Sequence, residues 1–263
     1  MARNFAIFVL SLTAMCGGSA LADMVLDVPT RPGVHVRLGI VLPDQPRAVA
    51  VLFAGGSGTL RISQAGHIGR PGNALIRGRS HFADRGLVTA AIDAPSDQLS
   101  AYGKMPDQFR TDAAHVRDLR AVIHALRKRY QLPVWLIGTS RGSTSVAHAA
   151  IHLGRPPVGP DGIVLSSSIG VDHRRGGNLL SMDLAAIGGP VAVVHHKSDN
   201  CLVTPYSGAE DIRDALQAAD PLKFMEITGG KAGKDPCGPV SHHGFRGQRA
   251  KVFKHIANWI LAN

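Results

Sequence analysis

The sequence predicts one α/β domain, a mostly parallel sheet with helices packed on both of its faces. Three observations carry that prediction. Short apolar runs alternate along the chain with longer amphipathic stretches, the order that builds strand–helix–strand units. Several of the runs, "AVAVLFA", "PVWLIG" and "PVAVVHH" among them, are apolar nearly throughout, as strands are when both sheet faces are covered. The chain has 263 residues, with no internal repeat, low-complexity tract or long linker, which suits a single core.

The elements follow in order. "MVLDVPT" and "VHVRLGIVLP" are strand-like runs separated by Arg31-Pro32-Gly33, a turn signal. "AVAVLFA" is the next strand and breaks into "GGSG" at residues 55–58. A helical stretch around "NALIRGRSHFADRG" stops at Gly86, a residue suited to a helix C-terminus, and "LVTAAIDAPS" is again a buried strand. Residues 111–130 show the clearest helical period, with Val116, Leu119, Val122, Ile123 and Leu126 at spacings of three and four. After the strand "PVWLIG" comes the helix "STSVAHAAIHLG". The strands "GIVLSSS", "PVAVVHH" and "KFMEITGG" complete the sheet, with "SGAEDIRDALQAA" and "QRAKVFKHIANWILAN" as the remaining helices. Ligands of such folds bind beyond the carboxyl ends of the strands.

One of those ends reads "LIGTSRG", and residues 138–142 match G-x-S-x-G. In a chain with 30 glycines the five letters alone are a weak signal. Their context is stronger. Ser140 stands between a buried strand and a helix, the strand–turn–helix setting in which a serine is presented on a sharp turn. Gly138 and Gly142 would give the close backbone approach that such a turn requires. The helix N-terminus after Ser140 would direct N–H groups toward a developing negative charge.

The ends of the chain and its composition bound the setting. Arg3, the apolar stretch "FAIFVLSLTAMC" and Ala20-Leu21-Ala22 read as a secretory signal peptide over residues 1–22, leaving 23–263 as the folded domain. A lipoprotein site at Cys16 is the alternative, poorly served by Thr13 and Met15. The apolar stretch is shorter than the ~20 residues that span a bilayer, so no stable membrane insertion is expected after cleavage. The place of action is then periplasmic or extracellular. Net charge is +10, but the Lys and Arg are scattered and aromatics are only 5%, so no nucleic-acid partner is expected. Without the leader two cysteines remain, Cys201 and Cys237, and in an exported chain a disulfide is the expected state.

With these residues in place, the sequence resembles the α/β-hydrolase superfamily over nearly all of residues 23–263, near its compact, lidless dienelactone-hydrolase branch. The resemblance implies the chain order nucleophile, acid, base. Ser140 in "GTSRG" takes the first role. "HHKSDNCLVTP" offers Asp199 as the acid, and "SHHGFRG" offers His243 as the base. Three positions depart from the family pattern. His196 replaces a small residue before the acid; a second histidine, His242, precedes the base, so that only the "HGF" register selects His243. The oxyanion loop reads "FAGGSG" without the usual His-Gly start, which leaves Gly56 or Ser57 as its donor. Arg141 would supply the second donor through its backbone N–H.

The chemistry needs each of these residue types. A serine hydroxyl attacks a carbonyl only if an imidazole takes its proton, and the imidazole needs a carboxylate to fix its tautomer. The reading is a secreted serine hydrolase working through an acyl-enzyme on a small carboxylic ester, a lactone or an acylated substrate. Acyl transfer by the same three residues is the alternative enzyme reading, and an exported binding protein with a vestigial site is the alternative outside enzymes. No cofactor is expected, since "GGSGTLR" lacks the Walker lysine and a dinucleotide fingerprint, and no metal, since the histidines lack ligand spacing. Asp172 is the reserve acid. Asp93 and Asp97 are read as loop or cap hydrogen-bonders, with substrate contact the alternative, and some of Arg61, Arg70, Arg77 and Arg79 as rimming the site, with a modest preference for anionic substrates. In this fold a Cys201–Cys237 disulfide would clamp the acid's loop to the base's loop.

Overall fold

The structure is a computed structural model that describes residues 24–99, 103–174 and 176–263. The expected leader therefore lies outside the described residues. Eight strands form one sheet: β1 (Met24–Arg31), β2 (Val34–Val41), β3 (Ala48–Phe53), β4 (Leu87–Ile92), β5 (Val134–Thr139), β6 (Gly162–Ser166), β7 (Gly189–His196) and β8 (Ala219–Ile227). Their order is β1-β2-β4-β3-β5-β6-β7-β8. β1 and β2 form the antiparallel hairpin signalled by Pro32-Gly33, β2 meets β4 antiparallel, and β3 to β8 run parallel.

The period of two along each inner strand divides its side chains between two cores. In β3, Val49, Val51 and Phe53 join one core, whereas Ala48, Ala50 and Leu52 join the other. Helices α3 (Ala113–Tyr130), α4 (Arg141–Leu153) and α5 (Tyr206–Ala215) cover the first face through residues such as Leu119, Ile123, Val146 and Ile212. Helices α1 (Ala74–Arg77), α2 (Arg79–Ala83) and α6 (Arg249–Ile260) cover the second through Ile76, Phe82, Phe253 and Ile256. A strand buried on both faces has no polar side, which is why these runs lack alternation in the sequence.

Three details differ from the sequence reading. The stretch expected as one helix around Ala74 is two, broken at Gly78. A Cβ there would stand 2.0 Å from the Phe253 ring, so α6 seats its aromatic directly on the break. Helix α3 buries His115 and Asp118 beside its apolar stripe and leaves Val116 half-buried. Asp118 is held by Arg31 at 2.8 Å, so its burial is compensated by an ion pair. Strand β8 begins at Ala219, earlier than its apolar run, because an edge strand is only half covered and carries polar residues. Between β6 and β7 the described chain adds only the short 3₁₀ turns Leu179–Ser181 and Leu184–Ala186, so no further layer lies over the C-terminal edge of the sheet there.

Candidate active site

Ser140 sits where β5 gives way to α4, with φ 53° and ψ −126°. A positive φ is uncommon for a residue with a Cβ and persists only where the surroundings fix it. The glycines provide that fit. A Cβ on Gly138 would meet the Gly142 carbonyl oxygen at 2.6 Å, and one on Gly142 would meet the Phe53 carbonyl oxygen at 2.1 Å. Ser140 N–H donates to the Ser166 carbonyl at 2.9 Å, and Ser143 N–H donates to the Ser140 carbonyl at 2.9 Å. The turn is thus pinned to β6 on one side and to the first turn of α4 on the other. Arg141 opens α4, and a first helical residue has no intrahelical acceptor for its N–H. Its side chain turns away to pair with Asp107 at 2.8 Å.

Asp199 lies three residues past β7 with a fully buried side chain. Its Oδ1 accepts from Cys201 N–H at 3.0 Å; its Oδ2 accepts from the Thr204 hydroxyl at 3.0 Å and faces His243 Nδ1 at 2.9 Å. An ionised carboxylate only accepts, so this arrangement puts the His243 proton on Nδ1 and leaves Nε2 as an acceptor. Thr204 also lies 3.1 Å from His243 Nδ1, and its carbonyl meets His195 Nε2 at 3.0 Å. Burial lowers the pKa of His195, which favours the neutral ring beside Asp199. The His243 carbonyl accepts from Ser167 Oγ at 2.9 Å, tying the His243 loop to the end of β6. A Cβ on Gly244 would stand 2.2 Å from the Pro239 carbonyl oxygen, which accounts for the glycine of "HGF".

The structure separates the two adjacent histidines. His242 Nδ1 meets the Ser198 carbonyl at 2.9 Å, and its ring stacks on His196 at 4.3 Å. His243, by contrast, lines a cleft of about 190 Å³ together with Ser140, Gly55, Gly56, Asn73 and Cys237. A disulfide joins Cys201 to Cys237, with 4.6 Å between their Cα atoms. It bridges the loops that leave β7 and β8, as expected from the sequence, and Cys237 forms part of the cleft wall. The loop after β3 reaches the cleft at Gly56, which has φ +61°, while a Cβ on Gly55 would lie 2.9 Å from that of Ser140.

Other positions fall elsewhere. Asp172 is exposed and accepts from the Asn178 side chain at 2.9 Å. Asp93 accepts from the N–H groups of Leu60, Ile62 and Ala94, and Asp97 pairs with Arg31. None of Arg61, Arg70, Arg77 and Arg79 lines the cleft, whose lining includes no Asp, Glu, Lys or Arg. Arg79 is buried against the Ile76 carbonyl and Arg70 bonds Thr59 and Gly103, so a rim of these arginines is not formed. Two residues, Thr204 behind the cleft and Asn73 in its lining, escape sequence reasoning. Thr204 has no motif to mark it. Asn73 caps α1 through Oδ1, which accepts from Leu75 and Ile76 N–H; an Asn ahead of an apolar run is a cap signal that marks this position but not its place in the cleft.

Among the described residues, no group of His, Cys, Asp and Glu is arranged to hold a metal ion, and no helix is long and apolar enough to cross a membrane. No protein-family model matches the chain, and no curated protein matches its sequence. Solved structures do match its shape. A dienelactone hydrolase from Anabaena variabilis aligns over 93% of this chain and 99% of its own, with a TM-score of 0.61 at 17% identity. An α/β serine hydrolase without a lid from Xanthomonas campestris covers 89% of this chain and 95% of its own, with a TM-score of 0.56 at 14% identity. A Pyrococcus furiosus esterase covers 92% and 91%, with a TM-score of 0.63 at 12% identity. Agreement in shape over nearly the full length of each gives the chain the α/β-hydrolase fold.

Proposed function

We propose that the protein is an exported serine hydrolase that cleaves small, uncharged carboxylic esters or lactones through an acyl-enzyme. One observation carries this reading: the strained Ser140 and His243 face the same cleft, and His243 is oriented from behind by the buried Asp199 at 2.9 Å. Ser140 Oγ attacks the substrate carbonyl while its proton passes to His243 Nε2. Asp199 stabilises the imidazolium that forms. The negative charge that develops on the carbonyl oxygen falls to the Arg141 N–H and to an N–H of the loop at Gly56 and Ser57. As the C–O bond breaks, His243 returns the proton to the leaving alkoxide. Water, deprotonated by the same imidazole, then attacks the acyl carbonyl; as the bond to Ser140 Oγ breaks, His243 returns that proton to Oγ, releasing the acid and the free serine.

The uncharged cleft of about 190 Å³ supports a small neutral substrate over an anionic one. The names of the structural neighbours, dienelactone hydrolase and esterase, support the same class. Export is supported by the disulfide, a bond that persists in oxidising compartments. Covalent labelling by a fluorophosphonate, with the adduct located by mass spectrometry, tests the reading. Wild type is expected to be labelled at Ser140, and Ser140→Ala to be unlabelled and to lose at least about 1,000-fold in kcat. Retention of more than a tenth of the esterase activity by Ser140→Ala would show that the serine is not the nucleophile.

A further inference from the structure

Residues 103–112, ahead of α3, pack behind the loop that follows β3, away from the cleft. Met105 N–H donates to the Ser57 carbonyl at 3.0 Å, and Thr59 Oγ1 donates to the Gly103 carbonyl at 2.7 Å. At the centre of this contact lies Arg110, which is 3% exposed. None of the ion pairs among the described residues involves its guanidinium. Nη1 donates to Ser145 Oγ at 3.2 Å, Nη2 donates to the Gly56 carbonyl at 3.5 Å, and Nε has no hydrogen-bond partner among the described residues. Asp93 borders the same small buried space, but its two oxygens are already taken by backbone N–H groups. Burial is severe enough to pull the Arg110 pKa down to about 10, with Arg141 opposing and Asp107 favouring the charge. A cation buried without a carboxylate partner is costly, and its place needs a physical reason.

The reason lies in what it touches. A Cβ on Gly58 would stand 2.4 Å from Nη2, so the loop closes around the guanidinium with only a glycine hydrogen between them. Gly56 lines the cleft, whereas Arg110 does not. In a trans peptide the C=O and the following N–H point in opposite directions. We propose that Arg110 is a positioning residue for oxyanion stabilisation: by holding the Gly56 carbonyl toward the interior, it turns the Ser57 N–H toward the cleft beside Ser140. Ser145 on α4 holds the other arm of the same fork, so the guanidinium sets the loop's donor relative to the helix that begins just after the nucleophile. A planar fork with two fixed donors does this; a flexible ammonium does not. The inference rests on the serine-hydrolase reading above.

The test uses the full chain and two variants, Arg110→Met and Arg110→Lys. Arg110→Met is expected to fold, to lose about 10- to 100-fold in kcat and to keep KM within about threefold, because a donor displaced by ~1 Å fails the transition state before it fails the substrate. Its affinity for an alkyl boronic acid, which forms a tetrahedral adduct on the serine, should weaken by the same factor as kcat/KM. A role in packing alone would lower the melting temperature without that parallel loss. If Arg110→Met does not fold, Arg110→Lys carries the test, with kcat below about a third of wild type at unchanged KM expected. A folded variant of either kind with undiminished kcat overturns the proposal. Absence of Ser140 labelling in wild type would remove the underlying reading instead, so the two failures are distinguishable.

Discussion

His242 and His243 differ by one peptide unit, yet they serve different surroundings. One ring stacks on His196 and bonds the Ser198 carbonyl; the other bonds a buried carboxylate and faces the cleft. Only a ring held from behind at Nδ1 leaves Nε2 free to take a proton in the cleft, so the two should separate cleanly in activity. His243→Ala is expected to lose at least about 1,000-fold in kcat, while His242→Ala keeps most of it, measured on a chromogenic acetate ester at neutral pH. The reverse order would move the base to His242. Thr204 adds a detail at the same scale. Its hydroxyl and carbonyl serve Asp199 and His195, and nothing in the string "CLVTP" announces that, because the contacts arise from the loop's path rather than from spacing.

The loop after β7 and the loop before α6 come together because their parent strands are neighbours and the Cys201–Cys237 bond joins them. Cys201 N–H is itself a donor to Asp199, so the bond's anchor and the acid's anchor share one residue. Closing a loop of 36 residues stabilises a chain by roughly 3–4 kcal/mol in the chain-entropy account. Cys201→Ser should therefore lower the melting temperature, and should lower kcat more than it changes KM, because a ~1 Å drift of Asp199 or His243 misaligns the proton transfer. Equal kcat in the reduced and oxidised enzyme would dismiss the link between clamp and catalysis. Elements of this kind were legible to different degrees. β3, β5 and β7 are apolar runs that admit few alternatives; "GTSRG" ends β5, Asp199 follows β7, and "HGF" lies in the loop between β8 and α6, in an order that a known family makes readable. The break at Gly78 and the buried Arg110 were not legible, since one depends on Phe253 of a distant helix and the other on a loop folded around a charge. A periodic pattern reports which face is buried; it does not report which distant group arrives there.

Across the whole molecule, the polar interior behind the cleft makes stability depend on pH. His115 is buried against Phe109, neither ring nitrogen has a hydrogen-bond partner among the described residues, and burial, with Arg110, His148 and Arg31 adding to it, pulls its pKa down to about 3. His195 shifts in the same direction, chiefly through burial. Unfolded, such a ring takes up a proton near pH 6.5; folded, His115 does so only near pH 3. Above pH 6.5 both states are neutral and the group imposes no penalty. As pH falls from 6.5 toward 3, the unfolded chain binds a proton that the folded chain does not, and stability drops by about 1.4 kcal/mol per pH unit. At pH 5 that is about 2 kcal/mol from His115 alone. The net charge of +10 grows as other histidines protonate, which adds self-repulsion in the same direction. His115→Leu removes the titration while filling much of the same volume against Phe109. Urea unfolding at pH 7.5 and pH 5 should then show wild type losing about 2 kcal/mol more between the two pH values than the variant does. Equal losses would mean that His115 already carries a proton in the folded protein at pH 5, and that Arg110 shares its buried space with a second cation.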